Sequence, residues 1–211
     1  MLEYSALERA LIGCGVESSR SLFDELIERY GDESRCYHNV AHLENCLALL
    51  AAHRDMAVFP ERVEIALWFH DAVYDSKRND NEEESAALAE RYLTSHGAHE
   101  DAWKSIVSMV LATKSHHARG NDEALMIDID LSILGASSLA FEDYDAAIRR
   151  EFQWVPDTRY RGARAEVLQT FLLREAIFLT QAFRVRYEVQ ARTNLTKKIA
   201  ELGVQSNGPR E

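Results

Sequence analysis

The chain has 211 residues, 46% of them hydrophobic and 28% charged, with a formal net charge of -11. That balance suits one soluble globular domain with a sizeable core, or two small ones, and it disfavours non-specific binding to nucleic acid or anionic membrane, which needs clustered Lys and Arg. Cys14, Cys36 and Cys46 are odd in number and fit no paired metal spacing, so free thiols in a reducing compartment are expected rather than a disulfide framework.

Only three prolines and nine glycines interrupt the chain, and its apolar residues recur at helical spacing, so the expected fold is all-α. The apolar runs fall far short of a membrane span, and the N-terminus lacks the basic and then apolar layout of a signal peptide. A cytoplasmic protein without membrane segments is predicted.

Residues 1–30 read as amphipathic helices broken near Gly13-Cys14-Gly15, with Ser18 or Ser19 as N-cap and Leu22, Phe23, Leu26, Ile27 and Tyr30 as the buried stripe. After the polar break at Gly31, a helix running to about His53 carries His38, His42, Cys46, Leu49 and His53 on one stripe. Cys46 reads as core. His53 lies roughly 16 Å along the helix from His42, too far to share its site.

Pro60 and Glu61 open the next helix, on which Val63, Ala66, Leu67 and His70 share a stripe; Asp71 is one step, about 100°, further round. A core-facing histidine needs a partner, and together His70 and Asp71 can reach one point just off the helix end. The polar loop from Asp75 precedes a helix from about Glu82 that turns Glu82, Ala86, Ala89 and Leu93 inward. A helix over about 102–117 ends in Lys114-Ser-His116-His117, where histidines also complement the helix dipole. The segment from Ala124 to Gly135 presents Ile127, Leu131 and Leu134 as its apolar face, with Asp130 at the edge and Asp128 well away from it. A carboxylate near a core face is costly unless paired or metal-bound, which favours Asp130 as a ligand. Helices follow to about Phe152 and, after Val155-Pro156-Asp157, from about Thr158 to Leu202, carrying Val167, Leu168, Phe171, Leu172, Ile177, Phe178 and Leu179; residues 204–211 read as a frayed tail.

All eight histidines fall between positions 38 and 117. Tyr37-His38-Asn39-x-x-His42, His70-Asp71 and Asp130-Leu131-Ser132 form the ordered pattern His…His-Asp…Asp, which resembles the HD superfamily of metal-dependent phosphohydrolases. The run from Tyr37 to about Arg164, with Asn81-Glu82-x-x-Ser85-Ala86, Ala112-Thr113-Lys114-x-His116 and Val155-Pro156-Asp157, is similar to a group of uncharacterised bacterial HD-type hydrolases.

The resemblance implies a single HD-type helical domain over 1–211, of about eight to ten helices around a divalent metal, with core motifs at 37–164 and C-terminal helices at 165–203. It implies His42, His70, Asp71 and Asp130 as metal ligands and His38 as the general acid. A mixed nitrogen and oxygen set suits Mn, Ni, Co, Fe, Mg or Zn, and such a metal lowers the pKa of bound water to make a nucleophile. The expected substrate is a nucleotide or other small phosphate ester. Lys114 is the best phosphate-gripping candidate, with Arg78, Arg149, Arg159 and Arg164 behind it. Asp75, Glu82 and His116 are candidates to position the attacking water, hold a second metal or orient the ligands. The phosphodiesterase branch of the superfamily has another histidine where this chain has Tyr74, and its nucleotide clamp has no counterpart here. Two other functions fit the same residues, a catalytically silent metal-binding regulatory module and a di-iron oxygenase.

Overall fold

A computed structural model describes residues 2–203, so the predicted tail at 204–211 lies outside the described residues. The described residues are helical, with ten α-helices, two short 3-10 turns and no strand. No single helix among them is long and apolar enough to cross a membrane. They form two compact units that meet in sequence between Asp130 and Leu131.

The first unit holds α1 (Tyr4–Gly13), α2 (Arg20–Tyr30), α3 (Val40–Ala52), α4 (Pro60–Phe69), α5 (Asn81–Ser95), α6 (Glu100–Ser115) and α7 (Asn121–Asp130). Local chemistry starts several of these helices where the sequence predicts. The Ser19 hydroxyl accepts the Ser21 N–H at 3.2 Å to cap α2, and Pro60, with its fixed φ and no N–H to satisfy, stands at the first position of α4. Glu82, Glu83 and Glu84 in the first turn of α5 complement its dipole.

Helix α4 is the centre of this unit, packed by α1, α3, α5, α6 and α7. Its apolar surface therefore runs all round rather than along the single expected stripe. Val63 and every residue from Ile65 to Phe69 are buried, each large one contributing about 1.5–3 kcal/mol by leaving water. Helix α7 is held to the entrance of α4 by its own first turn: Asp122 accepts the N–H groups of Val58 (2.7 Å) and Phe59 (2.9 Å), and the Asn121 amide donates to the Met56 carbonyl at 2.6 Å.

The second unit holds the 3-10 turn Leu131–Gly135, α8 (Ser138–Glu151), α9 (Asp157–Leu172) and α10 (Gln181–Leu202). The sequence places Ile177, Phe178 and Leu179 in a helix. In the structure they lie in the connection between α9 and α10, where Glu188 accepts the N–H groups of Ile177 (3.1 and 3.0 Å) and Phe178 (3.1 Å). That carboxylate supplies the partners a helix would have given. Val167, on α9 as expected, is 48% exposed. Arg164 and Asp145 form a buried pair at 2.9 Å, joined by Lys198 at 3.3 Å from the same aspartate.

Candidate metal centre

His70 follows the last residue of α4 and keeps helical geometry (φ -56°, ψ -38°). Its Nδ1 lies 2.7 Å from the Leu67 carbonyl, which can only accept, so the proton sits on Nδ1 and Nε2 faces the site. The turn beyond it is fastened from three sides. Tyr30 Oη accepts the Asp71 N–H at 3.2 Å, Ser85 Oγ both accepts the Val73 N–H (3.0 Å) and donates to its carbonyl (3.2 Å), and Arg35 donates to the carbonyls of Asp71 (2.6 Å) and Ala72 (3.2 Å).

His42 enters from the first turn of α3 and Asp130 from the last residue of α7. His42 Nε2 lies 3.1 Å from His70 Nε2, 3.3 Å from Asp130 Oδ1 and 3.7 Å from Asp71 Oδ2. His70 Nε2 lies 3.1 Å from Asp71 Oδ2 and 3.8 Å from Asp130 Oδ1. Donors bound at about 2.1 Å to one ion stand about 3.0–3.4 Å apart at right or tetrahedral angles and up to about 4.2 Å apart across it, so these distances, from 3.1 to 3.8 Å, are compatible with a shared metal. Both histidines are buried, whereas the Asp71 and Asp130 side chains keep 16% and 18% exposure, leaving the carboxylate side open to a ligand.

Among the described residues, His42, Cys46 and His70, all buried, and the partly exposed Asp130 form a group able to hold a metal ion, their donor atoms within 4.8 Å of one another. Cys46 is wholly buried, as the sequence predicts, and its place in this group went unread because the lone thiol fits no spaced thiolate motif. Its Sγ is nearly equidistant from His42 Nδ1 (3.9 Å) and Nε2 (3.7 Å). It thus flanks the imidazole rather than standing on the Nε2 lone-pair axis.

The electrostatics are those of a site built around positive charge. Burial alone would lower the His70 pKa, but the Asp71 carboxylate, with Asp130 and the Leu67 carbonyl, outweighs it and raises the value to about 9. Asp71 and Asp130 also pay for burial, yet His70 foremost for Asp71, and His116 and His42 for Asp130, hold both well below the usual carboxylate range.

Compared with protein-family models, with curated proteins and with solved structures, the chain matches none.

The remaining predicted residues divide. His38 is not on the α3 stripe: Asn39 caps the helix, its Oδ1 accepting the N–H groups of Ala41 (2.9 Å) and His42 (3.4 Å), so His38 sits in the loop before it. It stays beside the centre, its ring 6.1 Å from that of His42 and stacked on Tyr74 at 4.1 Å. Of the two adjacent histidines, His116 approaches the site, with Nε2 3.7 Å from Asp130 Oδ2, while His117 is exposed and donates to the Ser115 carbonyl at 2.8 Å. Helix α6 ends at Ser115, earlier than predicted, because His116 takes the left-handed conformation (φ 54°, ψ 41°).

Lys114 directs its ammonium to Glu83 (2.5 Å) and the Asn79 carbonyl (2.6 Å), fastening α6 to the loop before α5, and Glu82 stands 3.9 Å from it. Asp128, expected away from the core, is wholly buried, because α7 is enclosed on nearly every side. The part that Arg35, Tyr30 and Ser85 play in holding the turn after His70 escaped sequence reasoning: the backbone groups they hold there lie 12 to 41 positions away, a relation that periodicity does not carry.

Proposed function

We propose that this chain is an HD-type metal-dependent phosphohydrolase acting on a nucleotide or other small phosphate ester. The observation that carries this reading is the meeting of His42, His70, Asp71 and Asp130 at metal-ligand spacing, with His38 beside them. A divalent ion held there supplies a Lewis acid and an activated water.

The chain's own groups do the rest. Leu67 keeps the proton of His70 on Nδ1, so Nε2 is the donor atom. His116 holds Asp130 from its Oδ2 side, leaving Oδ1 toward His42 and His70. As the new P–O bond forms from water and the bond to the leaving oxygen breaks, His38 gives its proton to that oxygen. The Tyr74 ring against one face of His38 limits the directions in which the imidazole can turn. Retention of a histidine suited to be the acid favours an enzyme over a silent binding module, which has no use for one.

The test is a screen of purified, chelator-stripped protein with Mn, Co, Ni, Mg, Zn or Fe(II) against nucleoside mono-, di- and triphosphates, cyclic nucleotides and a generic phosphomonoester. Hydrolysis returns with metal, and His38→Ala retains stoichiometric metal while losing about 10²–10⁴-fold in turnover. Silence across the panel with metal stoichiometrically bound overturns the reading.

A further inference from the structure

Arg35 lies in the loop between α2 and α3 and is 8% exposed. Its guanidinium donates to three backbone carbonyls, those of His38 (3.3 Å), Asp71 (2.6 Å) and Ala72 (3.2 Å). The same group lies 5.4 Å from the ring of Tyr30 and 5.8 Å from that of Tyr74. Both tyrosines touch the site, since Tyr30 accepts the Asp71 N–H and Tyr74 stacks on His38. One buried cation therefore joins two segments 33 positions apart, the loop that carries His38 and the turn that carries Asp71. A planar fork with five N–H donors can reach several carbonyls at once; an ammonium cannot match that geometry.

We propose that Arg35 is a positioning residue that sets the distance between His38 and the metal-ligand corner at His70 and Asp71. Its loss removes no ligand. It releases the Asp71 turn, which weakens the site, and frees the His38 loop to drift from it. The part concerning His38 rests on the phosphohydrolase reading; the part concerning Asp71 does not.

The experiment uses the full chain, stripped by chelator and titrated with Co(II), whose visible bands report ligand geometry. In Arg35→Ala, Co(II) affinity falls about 10–100-fold and the bands shift. Guanidinium at a few millimolar restores both, whereas urea at the same concentration does not. Arg35→Lys, which keeps charge and most of the volume, recovers part of the affinity and serves as the deciding variant should Arg35→Ala not fold. Wild-type affinity and bands in either folded variant, or defects that guanidinium and urea relieve alike, overturn the proposal, as does a wild-type protein that binds no Co(II). If the wild type hydrolyses a phosphate ester, Arg35→Ala lowers kcat more than it raises KM. A wild type that binds Co(II) and hydrolyses nothing sinks the phosphohydrolase reading alone, because the cobalt comparison still decides Arg35.

Discussion

At the scale of single residues, His70 sets two opposite responses to pH. Its pKa rises from the ordinary 6.5 to about 9 in the metal-free fold. A folded-state pKa above the unfolded one adds stability that is complete below about 6.5 and is lost as pH climbs through about 9. Metal needs the unprotonated Nε2, so its affinity moves the other way, rising about tenfold per pH unit below 9. Melting of the metal-free protein and Mn or Co titrations at pH 6.5, 7.5 and 8.5 check both signs; an affinity flat in pH would show that no proton is displaced from His70.

His116 makes a second residue-scale case. A non-glycine residue at φ 54° stores about 1 kcal/mol of strain, and here it holds a ring nitrogen near Asp130. His116→Gly is expected to melt no lower than wild type while binding metal about tenfold or more weakly. A variant that binds metal normally would reduce His116 to an ordinary helix cap.

At the scale of elements, the cap of α3 explains the misplaced stripe. The i, i+4 spacing of His38 and His42 satisfies a helix, but the Asn39 side chain competes for the first N–H groups and starts the helix at Val40, two residues after His38. Asn39→Ala should cost about 1 kcal/mol of stability, measured by denaturant unfolding. In the second unit, a Cβ on Gly135 would stand 2.6 Å from the Tyr187 carbonyl oxygen and 2.9 Å from its Cα, so the Leu131–Gly135 turn can lie against α10 only as glycine. Gly135→Ala is expected to destabilise by about 1–3 kcal/mol or more, because backbone and not a flexible side chain must yield. Asp145→Ala leaves Arg164 buried without its carboxylate and should cost about 3–5 kcal/mol, seen as a fall in denaturant midpoint.

At the scale of the whole molecule, all four proposed ligands belong to the unit ending at Asp130. A metal that binds only the folded form at a hundred times its Kd adds about 2.7 kcal/mol. Hydrogen exchange should therefore slow within residues 1–130 when metal is added, and chelator should reverse it; protection unchanged there would mean that the donors do not act together.

The helical class and most helix positions were legible in the sequence, because apolar period, capping residues and Pro or Gly breaks act over a few neighbouring residues. Three members of the group able to hold a metal were legible too, as His42, His70 and Asp130, whereas Cys46 read only as core. Tertiary packing alone decided what those residues meet. It enclosed α4 and α7 nearly all round, which buried Asp128 against the one-face reading, chose His116 over His117, set Cys46 beside the His42 ring, and brought Arg35 to the carbonyls of Asp71 and Ala72. Periodicity tells each helix which side is apolar; which distant side chain stands opposite depends on how several helices share one core, and no local stretch of chain contains that information.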